Sequence, residues 1–92
     1  MSSKAPADHF TILYFAAAAT FTGKTTEHLL APLRIRDLFT KLDNAYPGLQ
    51  HKVLSSCAVT VNLEYVDLDD VDAEQEIHAG DEVAIIPPVS SG

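Results

Sequence analysis

At 92 residues, 47% hydrophobic and 21% charged, the chain has room for one small domain and the composition of a folded rather than a disordered one. A net charge of −7 argues against binding to phosphate backbones, and no apolar run reaches the ~18 residues that a membrane span requires. The single Cys57 excludes an internal disulfide and fits a reducing compartment, and the polar opening lacks a signal-peptide core, so a cytoplasmic location is expected.

Residues 1–8 predict a disordered lead. His9 to Phe15, rich in aromatic and β-branched residues, reads as a strand. Ala16 to Ala19 is compatible with a short helix, Gly23 marks a turn, and Thr25 to Leu30 reads as a second strand in a hairpin with the first. Ile35, Leu38, Phe39, Leu42, Ala45 and Tyr46 then recur at the spacing of one helical face, with Asp37, Lys41 and Asn44 off that stripe. Pro47-Gly48 ends this helix, and Arg34 is a poor cap for its start. Cys57, Val59 and Val61 alternate with Ala58, Thr60 and Asn62 as in a strand with one buried face. Glu64 to Val66 predicts another short extended piece, Asp67 to Glu76 an acidic loop, and Glu82 to Ile86 the final strand.

The resulting β-β-α-β-(β)-β order predicts an α+β domain over residues 9–88, a mixed sheet with one main helix on one face. Only one parity of each strand then belongs to the core. Ile12, Tyr14, Val59, Val61, Val83 and Ile85 are assigned to the helix side. Leu13, Phe15, Ala84 and Ile86 are left on the opposite face, which is a candidate protein interface unless the long acidic loop folds over it or the parity is inverted.

Charge is unevenly placed: all six Lys and Arg lie between Lys4 and Lys52, whereas nine of the thirteen acids fall between Glu64 and Glu82. Such a half is either a solvated surface or a means of steering toward a basic partner. Cys57 reads as a small core residue, since no His or basic cluster adjoins it in sequence to activate the thiol. His9, His28, His51 and His78 show no metal-ligand spacing. Asp67, Asp69, Asp70 and Asp72 lack the glycine and glutamate positions of a calcium loop. No catalytic triad, phosphate loop or paired catalytic acid is recognisable, so the chain is not expected to be an enzyme on its own.

The C-terminal stretch is the most informative. Gly80-Asp81 starts a turn into the last strand, Pro87 and Pro88 close it, and Val89-Ser90-Ser91 lead to Gly92. The two prolines cannot donate to a sheet ladder, so a tail over 89–92 is expected to project from the domain. A glycine carboxylate at its end has no Cβ to shield the acyl carbon from an enzyme.

The element order, Gly80-Asp81-Glu82-Val83-Ala84-Ile85-Ile86-Pro87-Pro88-Val89-Ser90, the opening Ile12-Leu13-Tyr14-Phe15-Ala16 and the central Ala58-Val59-Thr60-Val61-Asn62 with Glu64-Tyr65 together carry a resemblance. From Phe10 onward the chain resembles the ubiquitin-like β-grasp sulfur carriers and, among them, the small subunits of molybdopterin synthases. The resemblance implies that an E1-like adenylyltransferase and sulfurtransferase uses ATP to adenylate Gly92 and convert it to a thiocarboxylate, with no cofactor or metal bound by the chain. It further implies that Val89, Ser90 and Ser91 thread a channel of the large synthase subunit in a heterotetramer, where the sulfur passes to cyclic pyranopterin monophosphate. Phe15, Tyr65, Ile86, Pro87 and Pro88 would meet that partner. Pro88 to Gly92 span at most ~16–18 Å, enough to reach a buried site from a sheet docked outside. Relatives usually end in Gly-Gly, whereas Ser91 is penultimate here, at a cost of about 1 kcal/mol if that position needs a positive φ. Carriers for thiamine synthesis or tRNA thiolation share the terminal chemistry, but the former are typically shorter and the latter lacks the Pro-Pro tail. A ubiquitin-like binding module without tail activation is the other alternative.

Overall fold

The computed structural model describes residues 6–66 and 75–86. Strand β1 (His9–Tyr14) leads through helix α1 (Ala17–Thr22) to β2 (Thr26–Leu30) and the two-residue strand β3 (Leu33–Arg34). Helix α2 (Ile35–Ala45), the single-turn helix α3 (Leu49–Lys52) and a 3-10 turn (Leu54–Ser56) follow. The chain then forms β4 (Ala58–Val61), β5 (Glu64–Val66), β6 (Glu76–Ile77) and β7 (Glu82–Ile86).

Five strands make the main sheet in the order β2-β1-β7-β4-β5. Its centre is the parallel pair β1 and β7, with Ile12 opposite Val83 and Tyr14 opposite Ile85. A parallel pair requires a long crossover, and everything between the two strands supplies it. The other pairs are antiparallel, and the expected hairpin of β1 with β2 is among them. This is the α+β arrangement expected from the pattern, with α2 as the principal helix on one face.

That face forms the core. Phe10, Ile12, Tyr14, Val59, Val83 and Ile85 of the sheet are buried against Leu38 and Leu42 of α2, with Leu49 and Leu54 from the elements after it. Each such side chain contributes roughly 1.5–3 kcal/mol relative to exposure. The assigned parity therefore holds for all six residues, with Val61, half-buried near the sheet's end, packed against the edge of the core. Ala45, placed on the helical stripe, is exposed.

Several boundaries differ from the sequence reading. Helix α2 begins without a side-chain cap on Arg34 because the Ile35 N–H donates to the Gln75 carbonyl at 3.0 Å. A backbone carbonyl from the residue before β6 thus satisfies the first helical N–H in place of a cap. The chain resumes helical geometry after Pro47, with Gly48 at φ 93 making the turn between α2 and α3. Glu76, expected in the acidic loop, pairs with Arg34 in the small β3-β6 sheet, beside the fully buried Ile77. Cys57 ends the 3-10 turn, and the strand starts at Ala58. The expected disordered lead is structured at its end: the His9 N–H donates to the Pro6 carbonyl and the Ala31 N–H to the Asp8 carbonyl. Of that acidic loop, residues 67–74 lie outside the described residues, as do residues 1–5 of the lead and the whole of 87–92.

Candidate functional site

Among the described residues, no helix lies on the opposite face of the same sheet. Leu13 pairs with Ala84 and Ala84 with Thr60, so these three form one row across the sheet, and Phe15, Ile86 and Ala58 follow the same parity. Leu13, Phe15, Thr60, Ala84 and Ile86 line a shallow groove of about 280 Å³. Leu63, Tyr65 and Glu82 complete its lining. Phe15 is 46% exposed, Tyr65 73% and Leu63 85%, so a cluster of large apolar side chains faces water. Glu82 is the one charged residue in the lining described.

The two ends of this face differ. At the end where β7 finishes, Ile86 stands opposite Ala58 and the surface is apolar. At the other end polar groups are tied together. The Asn62 amide donates to Asp81 Oδ1 at 3.1 Å and its oxygen accepts the Glu82 N–H at 2.9 Å. Asn62 N–H also donates to the Glu82 carbonyl at 2.7 Å. Asp81 Oδ2 accepts the His78 N–H at 2.8 Å, closing the turn that precedes β7, in which Gly80 has φ 87. Only a residue without a Cβ adopts that conformation without strain. Beside this cluster, Thr11 Oγ1 and His28 Nδ1 are hydrogen-bonded at 3.1 Å.

Between β4 and β5 lie only Asn62 and Leu63, at φ 51 and φ 73. Two left-handed residues in a two-residue hairpin loop are the type I′ arrangement, whose second position strongly favours glycine. Here it holds leucine.

On the covered face, Tyr14 and Tyr46 each donate a phenol hydrogen bond to Glu27 Oε1 at 2.8 Å. Lys24 Nζ stands 3.5 Å from Glu27 Oε2 and 5.8 Å from the centre of the Tyr46 ring. Burial, then the hydrogen bond to Glu27, push the Tyr14 phenol well above its ordinary range. Lys24 is held above its usual value by the Tyr46 phenol first and the Glu27 carboxylate second. This cluster ties β1, β2 and the end of α2 together.

Burial raises the Cys57 thiol, which keeps it protonated and a poor nucleophile, in keeping with its packing against the core. Among the described residues, no group of three or more His, Cys, Asp or Glu is arranged to hold a metal ion. Among them, too, no helix is long and apolar enough to cross a membrane.

Of the residues singled out from the sequence, Phe15, Tyr65 and Ile86 come together in the groove although they lie on three different strands or strand ends. Pro87, Pro88, Val89, Ser90, Ser91 and Gly92 lie outside the described residues. Leu63 and the Asn62 clamp were not anticipated. The available signal was an apolar residue directly after an Asn between two short strands, where a hairpin loop ordinarily places glycine.

The ThiS family model matches residues 12–92. A molybdopterin synthase sulfur carrier subunit of Pyrenophora tritici-repentis is 74% identical over 97% of this chain and 96% of its own. One of Phaeosphaeria nodorum is 65% identical over 99% of this chain and 98% of its own. The complex of subunits 1 and 2 of molybdopterin-converting factor from Helicobacter pylori contains a chain of the same fold, with a TM-score of 0.63 at 19% identity, covering 91% of this chain and 99% of that one. The chain belongs to the ThiS family of ubiquitin-like β-grasp proteins and groups within it with the molybdopterin synthase sulfur carrier subunits.

Proposed function

We propose that this chain carries sulfur for molybdopterin synthesis as a thiocarboxylate on Gly92 and delivers it inside the large synthase subunit. Family membership and the names of its relatives support a sulfur-carrier role in molybdenum cofactor biosynthesis, exercised as a subunit. In the proposed cycle a carboxylate oxygen of Gly92 attacks the α-phosphorus of ATP on an E1-like activating enzyme, and pyrophosphate leaves. A sulfur nucleophile at the oxidation level of hydrosulfide then forms a C–S bond at the acyl carbon as the C–O bond to AMP breaks. The terminal sulfur next forms a C–S bond at a carbon of cyclic pyranopterin monophosphate as a C–O bond at that carbon breaks and its oxygen departs. Water then cleaves the acyl C–S bond, leaving the sulfur on the pterin as a thiolate and returning the carboxylate. The activating enzyme supplies ATP binding, so the chain itself holds no cofactor. This cycle is assigned to the cytoplasm.

The single observation that supports delivery by docking is the position of Ile86. It is the last residue of β7 and also lines the open groove with Phe15 and Tyr65. Six further residues, fully extended, reach about 20 Å from it. A partner that encloses Val89, Ser90 and Ser91 must therefore abut this end of the sheet, with Pro87 and Pro88 at the seam.

The test is intact-mass analysis after incubation with ATP, a sulfur donor and a molybdopterin-type activating enzyme. The expected result is exchange of one oxygen for sulfur, localised to the C-terminal peptide and abolished by deleting Gly92. A Ser91→Gly variant separates failure of this tail from failure of the idea. If neither it nor the natural chain is modified by an enzyme active on another carrier, the sulfur-carrier mechanism is wrong.

A further inference from the structure

We propose that Leu63, at the tip of the β4–β5 hairpin, is a docking anchor for the large synthase subunit, held ready by Asn62 at the expense of folding stability. This rests on the reading above that the large subunit seats on the open face.

Two independent features of Leu63 run against what folding alone selects. Its backbone is left-handed at φ 73, where a branched side chain is strained and glycine is not. Its side chain is 85% exposed, the most exposed of the large hydrophobics described. Truncating it therefore removes almost no apolar contact within the chain. Yet it is not a frayed tip, because Asn62 is clamped to Asp81 and Glu82 by the three hydrogen bonds described above. A rigid, strained and exposed leucine is the form expected of a side chain whose contacts come from another molecule, since pre-organisation reduces the ordering cost of binding.

Its position selects the occupant. Leu63 lines the same groove as Tyr65 and Ile86, so it is continuous with the surface that the tail-receiving partner must cover. Glu82 in the lining, and Asp81 next to it in the Asn62 clamp, put carboxylates beside this apolar patch. A second copy of the chain would bring these acids against their own kind, on a molecule of net charge −7. The matching surface is an apolar recess with a basic rim, and the occupant proposed to carry it is the large subunit.

The experiment pairs two readouts on the full chain: thermal midpoint, and affinity for the purified large synthase subunit of Pyrenophora tritici-repentis. For Leu63→Gly the expected result is a midpoint unchanged or raised by about 4 °C, from relief of strain on the order of half to one kcal/mol, together with at least a tenfold loss of affinity. Leu63→Asn, which tolerates the left-handed backbone but is polar, should lose affinity likewise. Opposite signs in the two readouts are what a purely structural leucine would not give. A midpoint that falls by 10 °C or more in both variants would show that Leu63 serves the fold and overturn the proposal. So would an unchanged affinity. In that case Phe15→Ala and Ile86→Ala decide how far the failure extends: if they lose affinity, docking at the groove stands and only Leu63 is misassigned, and if they too bind normally, the docking reading falls with it.

Discussion

The two faces of one five-stranded sheet obey the same period of two and come to opposite ends. Toward α2, alternate residues of β1, β4 and β7 are fully buried, and the polar atoms among them find partners within the chain, as the Tyr14–Glu27–Tyr46 hydrogen bonds show. On the other face the intervening residues of the same strands are small or half-buried, with Thr60 and Ala84 buried and Leu13 and Ile86 partly exposed, and the aromatic side chains of Phe15 and Tyr65 beside them stand open to water. Among the described residues, no buried side-chain polar atom lacks a partner, so the covered face is complete as folded. A monomer gains nothing from exposing a contiguous apolar cluster, and its presence beside the end of β7 marks it for another surface. Stability and recognition are thus divided between the parities of the same few strands.

The largest effects should come from breaking the covered face. Leu38 is fully buried at the centre of α2, and Leu38→Ala should destabilise the chain by about 2–5 kcal/mol through lost transfer energy and the cavity left behind. Phe15→Ala, which removes a larger side chain from the open face, should cost only about 1 kcal/mol, because roughly half of that side chain is already solvated. Chemical denaturation of both variants checks the contrast. Equal losses would mean that the open face is a second core, and the division of labour argued here would fail.

A smaller effect tests the polar part of the covered face. Glu27→Ala leaves the phenols of Tyr14 and Tyr46 without their acceptor and should destabilise by about 2 kcal/mol, within the range for hydrogen bonds to charged groups. The same cluster sets the alkaline behaviour. Burial and then the Glu27 hydrogen bond raise the Tyr14 phenol above its value in the unfolded chain, so the folded state holds a proton that the unfolded state has released. That contribution is complete below about pH 10, the unfolded value, and is lost progressively as the pH rises above it. Tyr14→Phe should flatten this alkaline limb in pH-dependent denaturation. An unchanged limb would assign it to another group.

What could be read from the sequence follows from the same contrast. Parity in β1, β4 and β7 was legible because each strand is long enough to alternate, and so the uncovered set Leu13, Phe15, Ala84 and Ile86 was legible too. Strands β3 and β6 were not, since two residues show no period, and Glu76 therefore read as loop. The pairing of Glu27 with Tyr14 and Tyr46 joins residues 13 and 19 positions apart, which no local pattern records. Leu63 escaped because its role does not show in propensity: the residue contradicts its turn. Deviations of that kind are where selection for something other than folding is most readily found.

Ala16 provides the finest test of this idea, at the boundary between the faces. It follows Phe15, which points into the groove, and precedes α1, whose Ala18 is buried on the other side. The chain turns there through φ 51 and ψ −122, closed by the Ala18 N–H donating to the Phe15 carbonyl at 3.0 Å. These angles fit the first central position of a type II′ turn, which glycine dominates. An alanine there is strained by about 1–3 kcal/mol, whereas glycine adds only roughly 0.5–1 kcal/mol of unfolded-state entropy. Ala16→Gly should therefore raise stability by about 0.5–1 kcal/mol, or a few degrees in thermal midpoint. Unlike Leu63, the Ala16 methyl offers a partner almost no surface, so affinity for the large subunit should stay within about twofold, less than half a kcal/mol. If Ala16→Gly instead weakened binding as strongly as Leu63→Gly, the strain at both sites would be positioning the backbone, and the weight placed on the leucine side chain would have to move to the turns that flank the groove.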